Sequence, residues 1–326
     1  MLLAGDVGGT KTLLGLFERA IPRPRLVVVH TYPTNQFASF DAILQAFARD
    51  VGGPPVVDAM AAGVAGPVIG GVGRLTNIIW DISCGHISER LKTSHVQLLN
   101  DLEAMALGAG VLAPGETVAL QPGAPHEDGN AAVIAAGTGL GEAYLHRVNG
   151  RLTAMASEGG HANFAARTDR ELAFVRMLTD LYGRAEIEHV LSGPGLLNLH
   201  RFTHEGRACD AISGDGTLDL PAMVSRQALE GTCPQCVEAL SMFIDAYGAE
   251  AGNLALRGLA TSGVFVGGGI APKILPALQD GRFIQAFRAK GTFAEFASRV
   301  PVKVIMTPET GLVGAAVAAQ ELLPAT

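Results

Sequence analysis

The chain has 326 residues, of which 48% are hydrophobic and 17% charged. That is apolar material for two cores and too little charge for a disordered chain. Lys and Arg total 24 against 31 Asp and Glu, a net charge of −7, which repels polyanions and excludes nucleic acid as a first-choice partner.

In chain order, residues 2–7 read as a buried strand, Gly8-Gly9 as a turn and residues 13–17 as a returning strand, together a hairpin. An apolar run over 56–64 and a short one over 96–99 follow, the second ending at Asn100-Asp101, where a helix over 102–110 begins. The hairpin plan recurs: residues 131–136 enter, Gly137-Thr138-Gly139 turn and residues 142–147 return. Helical spacing covers 171–182, 195–202 and 221–229, and the clearest apolar stripe is Val237, Leu240, Ile244, Tyr247, Ala251 and Leu254. Residues 264–266 return to strand and run into Gly267-Gly268-Gly269, and 301–306 precede a last helix over 311–322. Strands and helices alternate, the mark of an α/β class.

No uncharged stretch reaches the roughly 18–20 apolar residues of a membrane-spanning helix. Residues 1–9 carry Asp6 and glycines where a secretory leader has basic and then apolar residues. No membrane contact and a cytoplasmic location are expected.

Three glycine turns after strands offer backbone N–H groups to an anion without side-chain obstruction. Neither the P-loop nor the dinucleotide-binding fingerprint fits any of them. Asp6, beside Gly8-Gly9-Thr10, suits either a magnesium-coordinating carboxylate or a turn aspartate. Lys11 suits phosphate neutralisation or a solvated surface. Asp101 is a candidate proton acceptor or a helix N-cap. Glu158 and His161 have a metal-ligand spacing, but Gly159-Gly160 disfavours a helix there and no further ligands accompany them, so a metal is rejected in favour of polar groups for hydroxyls. Cys233 and Cys236 form a C-x-x-C pair; a four-ligand zinc site needs two more ligands and there is no second cysteine pair, so structural or incidental thiols are expected.

The set Gly5-Asp6-Val7-Gly8-Gly9-Thr10, Leu75-Thr76-Asn77, Leu99-Asn100-Asp101, Ala136-Gly137-Thr138-Gly139-Leu140-Gly141, Glu158-Gly159-Gly160-His161, Leu191-Ser192-Gly193-Pro194-Gly195 and Gly267-Gly268-Gly269-Ile270 closely resembles the bacterial glucokinase family of the Escherichia coli type, nearly end to end. The resemblance implies an α/β, actin-like ATPase (ribonuclease H-like) fold, with two domains and an interdomain cleft. The small domain is expected at 1–109 plus 312–326 and the large one at 110–311. It also implies a homodimer that phosphorylates D-glucose at the 6-hydroxyl with ATP and Mg²⁺. Asp101 would be the general base, with Asn100, Asp101, Glu158, His161 and Glu188 on the sugar and Thr76 and Asn77 on a loop closing against it, backed by Trp80. Gly8, Gly9, Thr10, Lys11, Gly137, Thr138 and Gly139 would face the phosphates, Asp6 would hold Mg²⁺ through water, and Gly267, Gly268 and Gly269 would flank the adenosine.

The chain departs from the family at Asn163 and Ala166, where Asp and Pro are common, and at Lys11, where the Escherichia coli type has Asn. Asn163-Phe164-Ala165-Ala166 also replaces the cysteine-rich zinc motif of the related ROK kinases and repressors. The first strand begins at Leu2, which is expected to leave no room for a DNA-binding domain. The alternatives are a catalytically weak sugar-binding paralogue, a kinase of another hexose, and an actin-like filament protein, which would not need the sugar set.

Overall fold

The computed structural model describes residues 1–75, 78, 80–148, 150–207, 209 and 219–324. In chain order the strands are β1 (Leu2–Val7), β2 (Lys11–Glu18), β3 (Arg25–Pro33), β4 (Ala59–Val64), β5 (Val68–Ile69), β6 (Val72–Arg74), β7 (Asp81–Ser83), β8 (Val96–Asn100), β9 (Thr117–Gln121), β10 (Ala131–Ala136), β11 (Leu140–Val148), β12 (Arg151–Ser157), β13 (Gly263–Gly267) and β14 (Val302–Ile305). The helices are α1 (Phe40–Asp50), α2 (Cys84–Leu91), α3 (Asp101–Ala109), α4 (Asp169–Tyr182), α5 (Gly193–Thr203), α6 (Leu220–Leu229), α7 (Pro234–Gly258), α8 (Leu275–Leu278), α9 (Arg282–Arg288), α10 (Ala294–Arg299) and α11 (Thr310–Glu321). The chain divides into two units, Met1–Glu116 with Val148–Ala156 and Thr307–Thr326, and Thr117–Arg147 with Ser157–Met306.

In the first unit the sheet runs β3-β2-β1-β4-β8. β1 is antiparallel to β2 and parallel to β4, and β4 is parallel to β8. β1 and β4 are buried almost throughout, as expected of central strands covered on both faces. Leu3, Leu14, Ile43, Phe47, Met60 and Val64 form the core on one side of the sheet, and the partly buried Trp80 packs against it. α3 and α11 are rich in Ala, Gly and Leu and are buried on most faces, the pattern of interior helices. They approach so closely that a Cβ at Gly314 would lie 1.6 Å from the Ala104 carbonyl oxygen, and one at Gly108 2.1 Å from that of Thr310.

The second unit repeats the plan. Its strands lie in the order β11-β10-β13-β14-β9, with β10, β13 and β14 mutually parallel and the hairpin strand β11 antiparallel to β10. β2-β1-β4-β8 and β11-β10-β13-β14 thus have the same order and directions, and in both a glycine turn joins the hairpin. The 25-residue α7 packs on this sheet, where Phe243, Tyr247, Phe283 and Phe287 are fully buried; each such side chain contributes about 1.5–3 kcal/mol on leaving water.

The structure shifts several expected edges. The apolar run from residue 56 becomes strand only at Ala59, and Val56 is 88% exposed. α4 starts at Asp169 because the Thr168 side chain accepts from the Glu171 N–H, and α5 starts at Gly193 because Ser192 caps it. Val237 leaves the buried stripe of α7 at 38% exposure, whereas Cys236 beside it in the same turn is fully buried. Residues 159–161 form one turn of 3-10 helix despite their two glycines. Among the described residues no helix is long and apolar enough to cross a membrane.

Candidate active site

In the first unit the candidate residues gather at the carboxyl ends of β1, β4 and β8, where open α/β sheets bind ligands. Asp6 is the penultimate residue of β1, and the register runs Asp6 to Gly63 and Gly63 to Leu99 across the parallel strands. The Gly8 N–H donates to the Lys11 carbonyl at 3.0 Å and closes the turn, with Thr10 and Lys11 exposed. Asn100, not Asp101, is the N-cap of α3. Its Oδ1 accepts from the Leu102 N–H at 2.9 Å, and the Asn100 N–H donates to Glu103 Oε2 at 2.9 Å, a complete capping box. Asn100 Nδ2 donates to the Gly66 carbonyl at 3.3 Å.

Asp101 therefore occupies the first helical position, half-buried, with Oδ1 accepting from the Leu102 N–H at 3.0 Å. A residue missed in the sequence permits this placement: a Cβ at Gly63 would lie 2.8 Å from Ala104 Cβ and 3.6 Å from Asp101 Cα, so only glycine lets the start of α3 settle on the strand end. Burial, and then the charge of Asp101, push the Asp6 carboxyl up to about 6 against the opposing pull of Lys11. Asp6 before the glycine turn and Asp101 at the start of α3, near enough for its charge to act on Asp6, are oxygen donors of the kind a hard divalent cation takes. Thr76 and Asn77 lie outside the described residues.

In the second unit four separate sequence segments converge. The Gly137 N–H donates to the Gly139 carbonyl at 2.8 Å, and the Gly193 N–H at the start of α5 donates to the Gly137 carbonyl at 2.8 Å. Glu188 Oε2 accepts from the Leu140 N–H at 2.7 Å, and a Cβ at Gly139 would come within 2.6 Å of that oxygen. The Glu188 N–H in turn donates to the Gly160 carbonyl at 2.9 Å. Glu188 thus joins the second glycine turn to the Glu158–His161 turn. The neighbouring Glu186 has a different role: its Oε2 lies 2.8 Å from His161 Nδ1, and that hydrogen bond raises the His161 pKa. Glu158 and His161 are both exposed.

Gly267-Gly268-Gly269 follows β13, parallel to β10, with Gly267 beside Ala135. Gly268 has φ of 83° and its missing Cβ would fall 2.2 Å from the Ala136 carbonyl oxygen, so both the conformation and the space require glycine. The second and third glycine turns therefore stand side by side. Next to them is a cavity of about 840 Å³ whose wall includes Gly137, Thr138, Gly193, Asp219, Gly269 and Lys273, within the size range of small-molecule sites.

Two further features were not legible in the sequence. Glu142 is fully buried, and neither carboxyl oxygen has a hydrogen-bond partner among the described residues. It lies directly beneath the Glu158–His161 turn, where a Cβ at Gly159 would be 2.1 Å from its Oε2. Burial, and then Glu250, push its carboxyl up to about 7, with Arg257 opposing. The second feature bears on the C-x-x-C pair, for which structural or incidental thiols were expected. Cys233 and Cys236 do not stand alone, because the fold brings Cys209, His200 and His204 to them. These neighbours come from the end of α5 and the segment after it, which no C-x-x-C spacing reveals.

The family model described as Glucokinase matches residues 3–322. The chain belongs to the glucokinase family. The glucokinase of Synechocystis sp. is 36% identical over 348 aligned positions covering 98% of both chains. Among solved structures, glucokinase from an Antarctic psychrotroph superposes with a TM-score of 0.87 at 30% identity, covering 98% of each chain. A ROK family glucokinase from Streptomyces griseus, solved in complex with glucose and AMPPNP, has a TM-score of 0.66 at 22% identity, covering 98% of this chain and 99% of its own. The family's fold is the actin-like ATPase fold of sugar kinases, and the repeated hairpin-plus-parallel-strand plan of the two units is its form in this chain.

Proposed function

We propose that this chain transfers the γ-phosphoryl group of ATP to the 6-hydroxyl of D-glucose, releasing ADP and glucose 6-phosphate. Asp101 accepts the hydroxyl proton as the oxygen attacks the γ-phosphorus, in line and with no covalent enzyme intermediate. The carboxylates of Glu158 and Glu188 and the imidazole of His161 bind the sugar hydroxyls, with Asn100, Thr76 and Asn77 as further sugar contacts. Gly8, Gly9, Thr10, Gly137, Thr138 and Gly139 offer N–H and hydroxyl donors to the phosphates, aided by Lys11. Gly267, Gly268 and Gly269 leave room for the nucleoside. Mg²⁺, bound with ATP near Asp6, supplies charge neutralisation at the phosphates. A cytoplasmic homodimer belongs to the same reading.

The observation that carries the proposal is the placement of Asp101. Its neighbour Asn100 bears the capping role, so the carboxylate is not required as the helix cap, and its charge adds to burial in raising the pKa of Asp6 at the neighbouring strand end. The test is ADP release over a panel of hexoses, for the wild type and Asp101→Asn. D-glucose should give the highest kcat/KM. Asp101→Asn should bind glucose within about tenfold of wild type while losing kcat by several orders of magnitude, because the base acts in the transition state. Near-normal kcat in the variant would remove Asp101 from its role. A wild type that binds glucose and releases no ADP would favour the silent sugar-binding paralogue, and a clear preference for another hexose would reassign the substrate.

A further inference from the structure

At the far end of α5 from the glycine turn, four side chains converge in a way the phosphoryl-transfer reading does not use. Cys233 is the N-cap of α7 and Cys236 lies in its first turn. Both are buried, and Cys209 is half-buried. Cys209 Sγ is 3.8 Å from Cys233 Sγ and 3.9 Å from Cys236 Sγ, and Cys233 Sγ is 3.5 Å from His204 Nε2. None of these sulfur separations is a disulfide, whose sulfurs are about 2.0 Å apart. They match three of the six edges of a coordination tetrahedron. Zn–S bonds of about 2.3 Å at the tetrahedral angle hold sulfurs about 3.8 Å apart, and a Zn–N bond of about 2.05 Å holds nitrogen about 3.5 Å from sulfur.

The surroundings are those of a metal ligand set. His204 is buried, and its Nδ1–H donates to the His200 carbonyl at 2.8 Å, which fixes the tautomer that leaves the Nε2 lone pair directed at the sulfurs. The His200 ring lies against that of His204, tilted by 34° with centroids 3.9 Å apart. Its Nε2 is buried without a hydrogen-bond partner among the described residues. Cys233 and Cys236 both sit at the N-terminus of α7, the end of a helix dipole that attracts negative charge.

We propose that Cys209, Cys233, Cys236 and His204 bind one structural Zn²⁺ ion that bolts the C-terminal end of α5 to the N-terminal end of α7. Four protein ligands close the coordination sphere and leave no position for substrate, so the role is structural. The bolt closes the excursion between Cys209 and Cys233, which contains α6. That helix contributes Pro221, Ala222, Ser225 and Arg226 to the wall of the 840 Å³ cavity. The ion would hold this wall in place from behind.

The test uses the full chain expressed with Zn²⁺ supplied and dialysed into metal-free buffer. Elemental analysis should find about one zinc per chain, and the Cys209→Ser/Cys236→Ser variant should retain less than roughly a tenth of that. Wild type prepared with Co²⁺ in place of Zn²⁺ should show the intense visible bands of tetrahedral thiolate coordination, a readout that survives even if the variant fails to fold. Wild type without zinc and without those bands would overturn the proposal. So would a disulfide among Cys209, Cys233 and Cys236 under non-reducing mass spectrometry, or a folded variant that keeps its zinc. None of these readouts depends on kinase activity.

Discussion

Asn100 and Asp101 are adjacent polar residues, of which only the first is the N-cap of α3. Asp and Asn cap helices about equally well, so the sequence left open which of the pair does so. Asn100 does, because the β8 register ends there and its amide reaches both the Leu102 N–H and the Gly66 carbonyl. Glu142 presents the opposite case, a carboxyl removed from solvent with no hydrogen bond. Its pKa rises in the folded state from 4.5 to about 7, so its favourable contribution is fully present below pH 4.5 and is lost as pH rises through 7. The loss is of order 3 kcal/mol. Urea unfolding at pH 5 and pH 8 should show Glu142→Gln gaining on wild type by about that amount at the higher pH. An equal pH dependence in the two proteins would mean that the carboxyl is hydrated or paired. Nothing in the alternation of β11 marks residue 142 as different from an ordinary strand glutamate, so the sequence could not reveal it.

At the scale of elements, the glycine turns and strands were legible because each depends on its own neighbours: a run of β-branched and small apolar residues, then residues without Cβ. Helix starts were missed by one or two residues wherever a Ser or Thr cap lay ahead of the first apolar position, as at Thr168 and Ser192. Less visible still was the α3–α11 contact, set by two glycines about 200 positions apart. Gly314→Ala should force these helices apart, since the new Cβ would meet the Ala104 carbonyl oxygen at 1.6 Å and the Gly108 nitrogen at 2.6 Å. A loss of about 1–3 kcal/mol or more is expected, read as a lower melting temperature. Gly115→Ala is the control: its Cβ would meet nothing within 4 Å, and its effect should stay within about 0.5 kcal/mol. Equal melting temperatures for the two variants would show that the helix pair can adjust at no cost.

At the scale of the molecule, a hairpin with a parallel strand beside it occurs twice, and each copy places its glycine turn at the carboxyl ends of parallel strands. If the sugar set in the second unit binds glucose, ligand binding must stabilise the folded state by mass action, about 2.7 kcal/mol at a hundred times Kd. The melting temperature should therefore rise with D-glucose concentration and should not rise equally with the same concentration of sorbitol; identical shifts would mean solvent exclusion alone. By itself the sequence determined the α/β class, the three glycine turns and the family, because strand alternation, turn chemistry and motif order are written in adjacent residues. Only the tertiary structure decided that Gly63 admits Asp101 to the strand end, that Glu142 is sealed beneath the Glu158–His161 turn, and that Cys209 and His204 come beside Cys233 and Cys236. Those outcomes depend on which distant segments pack together, and burial and proximity belong to the path of the whole chain rather than to any short stretch of it.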